Sequence, residues 1–213
     1  MRSVRVFFKK NGRMKFISHL DLNRFMIRMI RKSGIPVWYS EGFNPHPYIT
    51  FALPLSLGFD SDYEVMDIRL DNDSYENELV LEKIKNLMPQ GIEVFGVSNP
   101  ILKAGDVAFA RFAVEFDNIS AFSEQILSFL SADVIEAEKK TKKGGTKVIN
   151  LKEYVRSFKI LGNTLVLDLA AGGANNLNPK LLLDTFAQKV NIELPPCSIT
   201  RQMIFDVNMN EFK

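Results

Sequence analysis

Val4, Val6 and Phe8 alternate with Arg5, Phe7 and Lys9 at the start of the chain. That period of two predicts a strand over residues 2–10. Asn11-Gly12 then signals a turn. From Ser18 the period changes. Leu22, Phe25, Met26, Met29 and Ile30 fall on one helical stripe. Ser18 stands at the N-cap position and Asp21 where a capping box carries its acidic partner. A helix is expected from His19 to Ser33, ending at Gly34. A short strand follows over Ile35–Tyr39. Residues 40–60, with three X-Pro bonds and two glycines, read as a long structured loop, because their aromatic and apolar content argues against disorder. A strand is expected over Tyr63–Leu70, a helix over Tyr75–Met88 and a strand over Ile92–Val97.

Asn99–Asp106 reads as a linker, after which the pattern returns. Strands are predicted over Val107–Phe116, Val134–Lys140, Val148–Lys159, Thr164–Leu169 and Ser198–Val207. Helices are predicted over Ile119–Leu130 and from Asn178-Pro179 to Val190, the latter with Asn as N-cap and Pro at the first helical position. The fold class that follows is α+β, with two tandem ferredoxin-like (βαββαβ) halves and antiparallel sheets. The halves span residues 1–98 and 106–213.

Composition fits this picture. Of 213 residues, 46% are apolar and 24% charged, so a hydrophobic core is available. No run approaches the roughly 18 apolar residues of a membrane helix, and the first residues lack a signal-peptide apolar region. With the single Cys197, these features predict a cytoplasmic protein without disulfides and without membrane association. One cysteine also excludes an iron–sulfur cluster held by this chain alone. No cofactor or metal ion is expected.

Charge distribution points to partners more than the net charge of +2 does. Arg24, Arg28, Arg31 and Lys32 lie within one stripe roughly 100° wide on the first helix. Asp21 is the one opposing charge. Such a row is either a solvated helix face or a track for phosphates, whose oxygens match guanidinium forks. The segment Tyr39-Ser40-Glu41-Gly42-Phe43-Asn44-Pro45-His46-Pro47 fixes His46 between two prolines. It reads as a structural turn or as a rigid loop bearing a site. His19 and His46 are the only histidines. Both lie in these segments, which makes them candidates for acid–base chemistry. A metal site is not favoured, because no His-x-x-x-His spacing supports it. A third segment, Lys139–Lys147, holds five lysines around Gly144-Gly145, and Lys142, Lys143 and Lys147 there are candidate phosphate contacts. The Gly172-Gly173 loop lacks both the P-loop and the dinucleotide fingerprint.

Lys15-Phe16-Ile17-Ser18-His19-Leu20-Asp21-Leu22 with Arg24 and Arg28, followed by Tyr39–Pro47 and Phe51-Ala52-Leu53-Pro54-Leu55, resembles the bacterial radical-SAM-linked family of unknown function. The likeness covers about residues 2–70 and continues more loosely to Asn176–Pro179. It departs from the family pattern after Arg28, where Met29 stands in place of an expected Ala. The resemblance implies a B12-binding radical-SAM protein as partner and a helper role for this chain. A radical-SAM cluster needs three thiolates, so that chemistry must come from the partner. More distantly, tandem ferredoxin-like halves with a basic helix are similar to CRISPR-repeat endoribonucleases, an analogy of fold alone.

The expected function is therefore an accessory protein that binds RNA or presents substrate to a radical-SAM enzyme. Arg24, Arg28, Arg31, Lys142, Lys143 and Lys147 would meet phosphates, His19, Glu41, Asn44 and His46 would line the local site, and Phe43 or Tyr48 would stack on bases. Two alternatives stand beside it: an RNA-processing nuclease using His19 and His46, and a protein-interaction subunit.

Overall fold

In a computed structural model the chain divides into two compact units, residues 1–107 with 200–213, and residues 108–199. The structure describes residues 1–140, 145–173 and 175–213. The elements run β1 (Arg2–Lys10), α1 (His19–Ser33), β2 (Ile49–Phe51), β3 (Asp60–Leu70), α2 (Asn77–Lys85) and β4 (Ile92–Ser98). They continue with β5 (Phe109–Phe116), α3 (Ser123–Ser131), β6 (Glu136–Lys140), β7 (Thr146–Asn150), β8 (Val155–Leu161), β9 (Thr164–Ala170), α4 (Pro179–Val190) and β10 (Cys197–Phe205). This is a mixed α+β fold with mostly antiparallel sheet. Among the described residues no helix is long and apolar enough to cross a membrane.

In the first unit β1 pairs antiparallel with both β3 and β4, and β2 pairs antiparallel with β3. Alternation sends Val4, Val6, Phe8, Met66, Ile68 and Leu70 to one face, where Leu22, Met26 and Ile30 of α1 and Val80 and Ile84 of α2 cover them. Each such fully buried side chain contributes roughly 1.5–3 kcal/mol. The ends of α1 follow from its sequence. The Ser18 hydroxyl accepts from the Asp21 backbone N–H at 3.1 Å, and Gly34 closes the helix with φ of 66°.

Two expected strands differ. Residues 35–39 form only isolated bridges, Val37 with Leu70 and Tyr39 with Pro47. Pro36 has no N–H to donate, so a continuous ladder cannot form there. The expected strand over 148–159 is broken by a 3₁₀ turn at Leu151–Tyr154. Asn150 causes the break: its side chain accepts from the N–H groups of Ile135 at 2.9 Å and Lys152 at 3.1 Å.

The C-terminal residues 200–213, read from sequence with the second half, belong to the first unit. Thr200 and Arg201 pair parallel with Asp60 and Ser61. The Tyr63 hydroxyl lies 3.0 Å from both Glu211 Oε1 and the Phe212 carbonyl. Burial and the Glu211 carboxylate raise its pKa well above the ordinary tyrosine value. The Lys213 carbonyl accepts from Ile101 and Leu102.

In the second unit β9 pairs antiparallel with β5 and with β8, and β6 and β7 form a hairpin. Phe186 of α4 packs against Phe122 and Phe129, with ring centroids 6.1 and 5.4 Å away. Arg111 and Asp168 pair across β5 and β9 through two hydrogen bonds of 2.7 and 2.9 Å. Burial would raise the Asp168 pKa, but donation from Arg111 and Ser157 holds it below the usual carboxylate range.

Candidate functional site

The apolar stripe of α1 faces the core, so its polar residues face outward. Arg24, Arg28, Arg31 and Lys32 are all exposed. Arg24 pairs loosely with Asp21 at 3.4 Å. Arg31 reaches across to the proline-rich loop, where its guanidinium donates to the Pro45 carbonyl at 2.9 Å. It also lies 6.0 Å from the centroid of the Tyr39 ring. The arginine helix and the loop are thus joined directly.

The loop is a narrow hairpin closed by the bridge between Tyr39 and Pro47. Ser40 N–H donates to the His46 carbonyl at 2.9 Å, and His46 N–H donates back to Ser40 Oγ at 3.2 Å. His46 Nδ1 lies 3.1 Å from Ser40 Oγ and from the Asn44 carbonyl. The histidine ring therefore braces the hairpin. Glu41, Asn44 and His46 are exposed, and Phe43 at the tip is fully exposed.

His19 sits in other company. It is half-buried at the start of α1, edge-on to Phe51 with ring centroids 5.0 Å apart. Burial lowers its pKa below the ordinary histidine value, Glu64 acting to raise it and Arg201 to lower it. Among the described residues no hydrogen bond joins His19 to His46. No group of three or more His, Cys, Asp or Glu among them is placed to hold a metal ion.

Tyr48 is exposed but turns to a different part of the first unit, packing edge-on against Trp38 at 5.4 Å. Lys147 is exposed on β7 in the second unit, opposite Lys139. Lys142 and Lys143 lie outside the described residues.

Sequence reading missed the buried charges of the first unit. Arg201 and Glu64 form an ion pair in which both side chains are buried. Lys10 is buried beside them and donates to the Met14 carbonyl at 3.2 Å. Burial lowers its pKa, with Glu64 and Asp60 opposing. The available signal was a charged residue at an inward position of an apolar strand, as at Glu64 between Tyr63 and Val65.

A family model described as an uncharacterized protein conserved in bacteria (DUF2344) matches residues 3–179. The chain belongs to this family. The DUF2344 match takes in α1, its arginines and the Pro45–Pro47 hairpin, and stops at the start of α4. No curated protein matches the chain.

Proposed function

We propose that this DUF2344 member is a cytoplasmic RNA-binding accessory protein that presents bound RNA to a radical-SAM enzyme. The observation that carries the reading is the exposed row Arg24, Arg28 and Arg31, tied through the Arg31–Pro45 hydrogen bond to a braced hairpin with Phe43 bare at its tip. Cations track phosphates without reading sequence, and an unhindered aromatic ring stacks on any unpaired base. The strand order β4-β1-β3-β2 of the first unit supports a ferredoxin-like reading of it, and β5-β9-β8 supports the same for the second.

The separate surroundings of His19 and His46 support binding over acid–base cleavage. A protein partner is supported by exposed apolar side chains around the start of α1, namely Phe16, Leu20 and Leu57. The Gly58 N–H donates to the Lys15 carbonyl at 2.8 Å, which brings the loop bearing Leu57 beside Phe16. Apolar patches of this kind mark interaction surfaces. The radical-SAM identity of the partner rests on the family resemblance of the opening motifs.

Filter retention of cellular RNA at two salt concentrations tests the binding claim. RNA retained at low salt and released at high salt is expected, and no retention at low salt removes the reading. Co-purification from nuclease-treated cells tests the partner. A radical-SAM protein should be retained by the parent chain and lost with Leu20→Ser.

A further inference from the structure

Alternation sends a second set of side chains to the sheet face opposite α1 and α2. Val4, Val6, Met66 and Ile68 join the helix-side core, so Ser3, Arg5, Asp67 and Arg69 take the other face. The register sets Arg5 across from Asp67, Ser3 across from Arg69, and Thr50 across from Asp67. A cavity of about 370 Å³ lies on this face, walled by Tyr48, Thr50, Asp67, Arg69, Leu102 and Lys103.

Its floor is fixed. Arg5 is fully buried and donates to Asp67 Oδ1 at 2.7 Å and Oδ2 at 2.8 Å. The same guanidinium donates to the Leu102 carbonyl at 2.7 Å, tying the strands to the segment that forms the rim. Each Asp67 oxygen keeps acceptor capacity beyond its one bond to Arg5. The Tyr48 ring is exposed and is backed edge-on by Trp38, whose own ring lies 5.0 Å from the Arg69 guanidinium. Neither Arg69 nor Lys103 has an ion-pair partner among the described residues.

We propose that this cavity binds a nucleoside 5′-monophosphate. Its volume falls within the range of small-ligand sites, roughly 300–1,000 Å³. Two cations without an ion-pair partner among the described residues suit one phosphate, with Arg69, lying against the Trp38 ring, able to grip two oxygens. The Asp67 carboxylate, its charge already met by Arg5, has acceptor capacity left for a ligand that carries hydroxyl donors beside its phosphate, as a ribose does. Tyr48 supplies the ring on which the base lies. The site is on the face opposite the arginines of α1 and is independent of them.

Titration calorimetry of the intact chain with the four common 5′-monophosphates tests this, with adenosine and inorganic phosphate as controls. At least one nucleotide should bind, about tenfold or more tighter than either control. Tyr48→Ala and Arg69→Gln should each weaken it by about tenfold. Lys103→Ala, at an exposed position, should weaken it several-fold with an unchanged melting temperature. Arg24→Ala with Arg28→Ala should leave nucleotide affinity intact, which separates this site from the proposed RNA surface. Absence of heat up to about 1 mM nucleotide overturns the proposal, as does binding that survives both Arg69→Gln and Lys103→Ala or is lost on removing the α1 arginines.

Discussion

Arg201 of β10 donates through Nε to Oε1 of Glu64 on β3 at 3.1 Å, with both side chains buried. The same guanidinium donates to the carbonyls of Leu53 at 2.9 Å and Pro54 at 3.2 Å. One side chain from near the C-terminus thus satisfies a buried carboxylate and two loop carbonyls. Removing one partner of a buried pair strands the other charge, at a cost of about 3–5 kcal/mol. Arg201→Ala should therefore lower urea-unfolding stability by about that amount. Arg201→Met with Glu64→Met should cost less than the sum of the single changes. A stability for Arg201→Ala within about 0.5 kcal/mol of the parent would show the pair to be solvated.

That pair also marks where sequence reading stopped. Periodicity located β1, α1, β3 and β4 because each carries an apolar face that repeats at its own period. It located α4 because Asn178-Pro179 caps it, the Asn178 side chain accepting from the Lys180 N–H at 2.9 Å. Long-range pairing has no local signature. Nothing in the alternation of Ser198–Val207 says that Thr200 and Arg201 lie beside Asp60 and Ser61. The candidate site divides the same way. The exposed arginines of α1 were legible from the helical period, and the Arg31–Pro45 contact from no pattern at all. The cavity beneath Tyr48 needs Arg5, Asp67 and Arg69 on one sheet face, which only the register of β1 and β3 supplies.

His19 gives stability a pH dependence with a definite sign. Its folded pKa is lowered from the ordinary 6.5, first by burial, with Glu64 raising it and Arg201 lowering it. Between the two values the unfolded chain binds the proton and the folded chain resists it. Stability from this group is therefore full above the ordinary value and falls as pH drops through it toward the folded value. Chemical denaturation of the parent and His19→Gln between pH 7.5 and 5 should show a smaller decline in the variant. Parallel profiles would mean that the imidazole is solvated in the folded state.

Phe43 separates binding from stability. Its side chain is fully exposed and makes no ring contact among the described residues. Phe43→Ala should change unfolding free energy by less than about 0.5 kcal/mol. If the ring stacks on a base, the same change should weaken single-stranded RNA binding by about 1–3 kcal/mol. Fluorescence anisotropy with a labelled oligonucleotide reads the second quantity. Unaltered RNA affinity would remove Phe43 from the surface.

The arginine row makes the most specific claim, because a phosphate contact has a thermodynamic signature that an idle surface charge lacks. Each phosphate neutralised releases counterion, so log affinity falls linearly with log salt, by about 0.7 per contact for a single strand. Arg28 is exposed, and no ion pair competes for it among the described residues. Arg24 shares its charge with Asp21 at 3.4 Å. Arg28→Ala should therefore reduce the salt slope by close to one contact's worth, and Arg24→Ala by no more than that. Arg31 differs again, since its guanidinium already donates to Pro45. Arg31→Ala should loosen the hairpin as well as remove a charge. Its loss of affinity should persist at salt concentrations where the loss from Arg28→Ala has faded. Equal slopes in the parent and in Arg28→Ala would show that this face of α1 meets solvent only.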